Sequence, residues 1–278
     1  MFKSKNSMSR ALVRRETTAG YLFLLPSLFF FVTFVLYPMF LCIYTSFFDS
    51  NMGKNAVDVF VGLGNYKELF QDKLFLGALK NTVIIVVVAV PTVCAFSLWV
   101  ATAIYDMKPA LTSAFRCIFY LPVVTGSVAV TVVWKWMYNS RFGVFNYLFK
   151  SLGIIDQNIN WLGDARFALW CIILILFTTS VGQPIVLYVS ALGNVDHSLV
   201  EAAQVDGANR RQVFWKIKWA QIMPTTLYIL IITTINSFQC FALIQLLTSG
   251  GPNHSTDTIM YYIYYTCLLY TPPSPRDT

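Results

Sequence analysis

The chain has 278 residues, of which 56% are hydrophobic and 12% charged, with a net charge of +7. Soluble globular chains carry about a quarter charged residues, so this composition calls for a lipid bilayer rather than water as solvent. The positive surplus does not indicate nucleic-acid binding, because the basic residues are dispersed among loops between apolar stretches.

Residues 1–18 read as an N-terminal tail, with Lys3, Lys5, Arg10, Arg14 and Arg15 ahead of the apolar stretch Tyr21 to Phe48. Basic residues beside a first span stay in the cytoplasm, so the N-terminus is expected there. The stretch is too long for a cleavable signal peptide, and no small-residue cleavage site follows it. Pro26 and Pro38 sit where a neighbouring helix could satisfy the freed carbonyls. The segment from Asp49 to Lys80 would lie outside, although four lysines there are balanced by four acids. Within it, Phe60 to Asp72 reads as a short amphipathic helix.

Four further apolar stretches follow: Thr82 to Ile104, Cys117 to Trp134, Phe167 to Leu192 and Ile222 to Leu247. Crossing the hydrocarbon takes roughly 20 residues per helix. The second and third are joined by a tight turn around Asp106 to Pro109 and are expected to pack as antiparallel neighbours. Pro122 and Gly126 are expected bending points in the third, with Trp134, Trp136 and Tyr138 as an interfacial belt and Lys135 snorkelling at its outer end. Gln183 and Pro184 interrupt the fourth about halfway across, and polar groups at that depth need a partner or a cavity. In the fifth, Asn236 and Gln239 are spaced to share a helical face, and Gly250-Gly251-Pro252 beyond it should stop the helix and turn the chain. A sixth stretch begins near Thr258. Five of the six cysteines, Cys42, Cys94, Cys117, Cys171 and Cys240, fall inside apolar stretches and read as buried single thiols rather than a disulfide framework.

Between the fourth and fifth stretches lies the polar run EAAQVDGANRRQVFWKIKWAQIMP, Glu201 to Pro224. Leu199 to Val205 suits a short helix with Ala202 and Ala203 as a small-residue face. Asp206-Gly207 is a stop, because Gly accepts left-handed backbone. A second helix is expected from Ala208 to about Ala220, with Val213, Phe214 and Ile217 on its apolar side. Arg210, Arg211, Lys216 and Lys218 mark this loop as cytoplasmic, whereas Thr248 to Asp257 carries no basic residue.

The pattern Glu201, Ala202, Ala203, Asp206, Gly207, Ala208, Phe214, Ile217 and Pro224 resembles the Glu-Ala-Ala loop in membrane subunits of binding-protein-dependent ABC importers, specifically the maltose- and glycerol-phosphate-type permeases of carbohydrate uptake. Two positions depart from the family pattern: Ala220 stands where a Pro is common, and no Pro precedes Glu201 near Asp196. The stretches RRETTAGYLFLLPSLFFF, FVGLGNYKELFQD, RFGVFNYLF, INWLGD and LLTSGGPNHST are similar to the same family. The resemblance covers residues 10 to 266.

That resemblance implies an all-α membrane protein, a helical bundle of the type I importer kind with five full spans and a truncated sixth. It implies a permease domain over 19–266, whose loop 196–222 docks an ATP-binding subunit. Glu201 and Asp206 would face the ATPase, Gly207 would make the turn and Phe214 would anchor the second helix. It also implies a second permease subunit, an extracytoplasmic solute-binding protein that meets Gly250, Gly251 and Pro252, a sugar substrate, and a place in the bacterial cytoplasmic membrane. Residues 267–278, CLLYTPPSPRDT, instead look like a translated sequencing adapter, the alternative being a natural Pro-rich tail.

The chain has no GxxxxGK[ST] phosphate loop, no His-Glu-x-x-His and only His197 and His254, so no cofactor, metal site or catalysis is expected. The apolar stretches hold no Asp or Glu, which counts against the alternative of an ion-coupled carrier acting alone. What remains is neutral amides: Gln183, Asn236 and Gln239, with Phe238 nearby, suit a polyol through hydroxyl–amide pairing and ring stacking. The same side chains could instead bridge helices, contributing about 0.6 to 2 kcal/mol per pair.

Overall fold

The computed structural model describes the backbone of residues 3–49 and 59–270 and the side chains of 13–49 and 59–267. Residues 271–278 of the adapter-like tail lie outside the described residues, as do Lys54 and Asp58 of the first loop. The chain divides into two compact units, residues 1–72 and 73–278.

In the first unit, α1 (Lys3–Phe31) passes through a π turn at Val32–Leu36 into α2 (Tyr37–Thr45). Pro38 has no N–H and its ring would crowd the carbonyl four residues back. Here the ladder widens instead, and the Tyr37 amide donates to Val32. The helix therefore starts at Lys3, well inside the segment read as a tail. Val13–Thr45 is 33 residues long and apolar enough to cross a membrane, and none of its apolar window is buried. Beyond it, β1 (Phe48–Asp49) pairs antiparallel with β2 (Val59–Phe60), and α3 (Gly64–Leu69) falls inside the expected amphipathic helix. Asn65 ties this unit together by donating to the Ser46 and Phe48 carbonyls at 2.9 and 3.0 Å.

The second unit is built around α4 (Lys73–Tyr105), 33 residues and roughly 50 Å long at 1.5 Å per residue. It begins nine residues ahead of the expected Thr82 start. Its buried side, including Ala78, Ile85, Ala89, Val93, Ala101 and Ile104, follows helical spacing. Against it pack α8 (Ala168–Ser180), α9 (Gly182–Gly193), α12 (Trp219–Phe238) and α14 (Ile259–Tyr270). The largest apolar cluster joins α4 and α9 through Val93, Ile104, Ile185, Tyr188 and Leu192, and reaches α12 at Ile222 and Ile229.

Three of the expected spans are broken into two helices each. The stretch Cys117 to Trp134 is not one helix: α5 (Pro109–Val124) and α6 (Ser127–Met137) meet at 96°. Thr125 and Gly126 are extended there, with ψ of 129 and 141, so the break falls beside the two residues expected to bend it. Pro122 leaves the last turn of α5 short of one backbone bond. The fourth stretch bends by 40° between α8 and α9. There the Val181 carbonyl accepts the Ile185 amide at 3.1 Å and also the buried Ser97 hydroxyl of α4 at 3.3 Å, which ties the bend to α4. The fifth ends at Phe238 and resumes as α13 (Ala242–Leu247), and Thr258 donates to the freed Cys240 carbonyl at 2.8 Å.

Two expectations about single residues also change. Tyr138 is not part of an interfacial belt: it is 4% exposed and packs with Trp134 and Phe145 over Cys171, whereas Trp136 remains open. Cys94, Cys171 and Cys240 are buried as expected, but Cys42 and Cys117 are exposed on their helices. By length and composition, two described helices can cross a membrane, and up to four spans result if each bent pair counts as one.

Candidate functional site

The polar run between α9 and α12 folds as a capped elbow. α10 (His197–Val205) opens on Asp196, whose carboxylate accepts the Ser198 amide at 2.9 Å and hydroxyl at 2.8 Å. The Ser198 hydroxyl, and then its amide, hold that carboxyl below the usual range. The side-chain oxygen of Gln221 accepts the Asp196 amide at 3.1 Å, which ties the start of α10 to the base of α12.

The stop at Gly207 takes the form the sequence called for. Its φ is +81, its amide donates to Gln204 at 3.1 Å, and the Ala208 amide donates to Ala203 at 2.9 Å. Together these satisfy the last carbonyls of α10 in a Schellman arrangement. Asn209 and Gln212 then form a reciprocal capping box, each bond 2.9 Å, at the start of α11 (Arg210–Val213).

The second elbow helix does not end near Ala220 as expected. It passes through a π turn at Phe214–Lys218 and continues as α12 to Phe238. The cause is apolar continuity: Val213, Ile222, Thr226 and Ile229 keep one buried side, and this burial holds the helix together past Pro224, which lies inside it and removes one backbone bond. The elbow and the fifth stretch are therefore one lever.

Of the residues assigned to docking, Glu201, Ala202, Asp206 and Gly207 are exposed, while Ala203, Ala208, Phe214 and Ile217 are half-buried. Phe214 and Ile217 are thus partly covered while Glu201 and Asp206 are open. Val205, 88% exposed, and Trp215, 60% exposed, are apolar groups on the same elbow that the pattern did not single out.

A recess of ≈ 140 Å³ opens between α5, α8, α9 and α12. Gln183 and Asn236 line it together, although 53 residues apart in sequence. The other two residues expected on the path do not: α12 stops at Phe238, Gln239 takes φ −83 and ψ 14 beyond it, and both are exposed outside the recess. Thr179, Ser180, Tyr228 and Thr233 line it as well. Their signal in the sequence was hydroxyls in an apolar run, which also occur wherever Thr caps its own helix. Gly182 allows the walls to meet, since a Cβ there would collide with the Phe119 carbonyl oxygen and approach Val123 at 2.9 Å.

At the opposite end of α12, beyond α13, the loop 248–257 is tightly pinned. Gly250 has φ +80 and is buried, with no room for a Cβ beside Asp257 and Tyr261. Asn81 donates to the Ser255 and Asp257 carbonyls, both at 3.0 Å, and Tyr261 donates to Ser249 at 2.9 Å. Gly251 and Pro252 are half-buried, so Asn253 and His254 form the exposed tip. His254 Nδ1 pairs with Asp257 at 2.7 Å, while burial pushes that carboxyl above the ordinary range. Among the described residues no group of three or more His, Cys, Asp or Glu is placed to hold a metal ion.

Residues 20–266 match a family described as the binding-protein-dependent transport system inner membrane component. The chain is 32% identical over 254 residues to a probable ABC transporter permease protein of Pyrococcus horikoshii, covering 91% of this chain and 86% of that one. It is 33% identical over 264 residues to the lactose transport system permease protein of Rhizobium radiobacter, covering 94% and 87%. Among solved structures, a chain of the bacterial alginate ABC transporter, crystallised in complex with alginate pentasaccharide-bound periplasmic protein, superposes with a TM-score of 0.76 at 25% identity over 92% of this chain and 85% of that one.

Proposed function

From the premise that the chain belongs to the binding-protein-dependent transport system inner membrane components, we propose that it is the permease subunit of an ATP-driven importer and carries a sugar or oligosaccharide. Hydrolysis resides on a separate ATP-binding subunit that docks on the elbow at Glu201, Ala202, Ala203, Asp206, Gly207 and Ala208. A second permease subunit completes the pathway, and a solute-binding protein meets the loop at Gly250, Gly251 and Pro252 through its exposed tip, Asn253 and His254. The N-terminus and the elbow lie in the cytoplasm of a bacterial cell. Five spans cross the membrane: Val13–Thr45, α4, the bent pairs α5/α6 and α8/α9, and α12 with α13, while α14 contributes to a sixth.

The single observation that carries this reading is the lever. One continuous helix runs from Arg210 at the elbow to Asn236 at the recess, roughly 40 Å at 1.5 Å per residue. A push on the elbow is therefore delivered to the recess wall without passing through a loop. The cargo class follows from the lining: amides and hydroxyls with no ionisable carboxylate or ammonium suit a neutral polyol. The lactose permease of Rhizobium radiobacter and the alginate transporter support a carbohydrate.

The test is ATP-driven sugar uptake into vesicles holding the assembled importer. Glu201→Ala combined with Gly207→Pro is expected to abolish uptake while leaving the permease itself folded and inserted in the membrane. Undiminished uptake would contradict docking through the elbow. Gln183→Leu with Asn236→Leu should raise the half-saturating sugar concentration, and no change there would remove the recess from the path.

A further inference from the structure

Between the elbow and the ends of α4 and α9 lies a second cavity of ≈ 400 Å³, separate from the recess and lined by different residues. Its wall carries charges of both signs: Asp106 just past α4, and Arg210 and Lys218 from the lever. His197, at the start of α10, also faces it. Among the described residues no salt bridge joins Asp106 to Arg210 or Lys218, so the three charged groups share this cavity without pairing with one another. Lys218 instead holds its ammonium 5.3 Å from the Tyr105 ring centroid, a cation–π contact that leaves its charge available.

Opposite charges held apart around one void are complementary to a ligand that itself bears both. We propose that this cavity binds a group joining a phosphate to a primary ammonium, of the phosphoethanolamine type. Arg210 and Lys218 take the phosphate, the guanidinium by its fork of donors and the ammonium as a point charge. Asp106 takes the ligand's ammonium, which offers three donors where a quaternary ammonium offers none. Leu192, Val195 and Phe214 supply an apolar wall for whatever carries the headgroup. Two sources carry this chemistry, a membrane phospholipid headgroup and a soluble phospho-amine. Either one would bridge the end of α4 to the lever and so bias the stance of the elbow. The inference rests on the bundle's membrane setting and not on the identity of the cargo.

The assembled importer is placed in phosphatidylcholine nanodiscs doped with phosphatidylethanolamine or phosphatidylglycerol, and retained lipid is read by native mass spectrometry, without any transport step. In a second arm, O-phosphoethanolamine is titrated calorimetrically into discs of phosphatidylcholine alone. Retention of phosphatidylethanolamine above both other lipids, falling about tenfold in Arg210→Gln and in Asp106→Asn as expected for losing a hydrogen bond to a charged group, supports the site and identifies the lipid as its source. Saturable binding of O-phosphoethanolamine with the same dependence supports the site and identifies the soluble source. Lys216→Gln, on the same turn but off the cavity wall, should change neither. Equal retention of all three lipids with no soluble binding, or binding indifferent to Arg210→Gln and Asp106→Asn, overturns the proposal.

Discussion

Gly207→Ala isolates the backbone contribution to the elbow. At φ +81 an added Cβ meets no neighbouring atom within 4 Å, so crowding plays no part and the whole effect comes from left-handed backbone. For an L-residue that conformation costs roughly 1–2 kcal/mol, and the stiffer unfolded chain returns about 0.4–1 kcal/mol. A net local loss of about 1 kcal/mol corresponds to roughly fivefold more frequent opening. The groups released are the Gly207 and Ala208 amides, now bonded to Gln204 and Ala203. Hydrogen exchange at positions 207 and 208 in the reconstituted complex should therefore accelerate by about that factor. Gly207→Asn should accelerate it less, since Asn tolerates the same region. Equal protection in all three proteins would refute the claim that the turn depends on glycine backbone freedom.

Gly182→Val should separate α5 from α9, because its Cβ meets the Phe119 backbone rather than a yielding side chain. Overpacking of this kind costs typically 1–3 kcal/mol, visible as a lower Tm in detergent, and an unchanged Tm would show that α5 can shift freely. Asn146 is 2% exposed; it donates to the Ile159 carbonyl at 2.9 Å and accepts from the Ile159 amide and the Trp161 indole at 3.1 and 3.0 Å. Asn146→Leu strands those partners at about 1–3 kcal/mol each and should make 139–166 the first segment cut in limited proteolysis. Burial raises the Asp257 pKa above its ordinary 3.8, with His254 partly opposing it. The folded loop therefore binds the proton more tightly, and its contribution to stability falls as pH rises from below 3.8 through the raised value. Thermal unfolding across that window should show the slope, and Asp257→Asn should flatten it.

Much of the elbow was legible in the residues themselves. Asp-Gly after a short helix-forming run names its own stop, because few residues besides Gly accept positive φ, and Gly207 takes it. The apolar runs likewise announced helices, and Pro122 with Gly126 marked where the third would yield. The depth of that yield was not legible. Whether a Pro–Gly pair gives a gentle kink or a 96° break depends on which neighbours receive the freed groups.

The same distinction separates the two halves of the candidate site. Local backbone preference determined the caps, the turn and the polar face of the elbow, all of which act over a few residues. Tertiary packing decided that the lever continues to Phe238, that Gln183 and Asn236 share a recess while Gln239 leaves it, and that Asp106 faces Arg210 and Lys218 across a cavity. Those outcomes depend on long-range contacts among α4, α5, α9 and α12, and small residues such as Gly182, against α5, set how closely helices approach. Residue spacing along one helix carries no record of its neighbour's position.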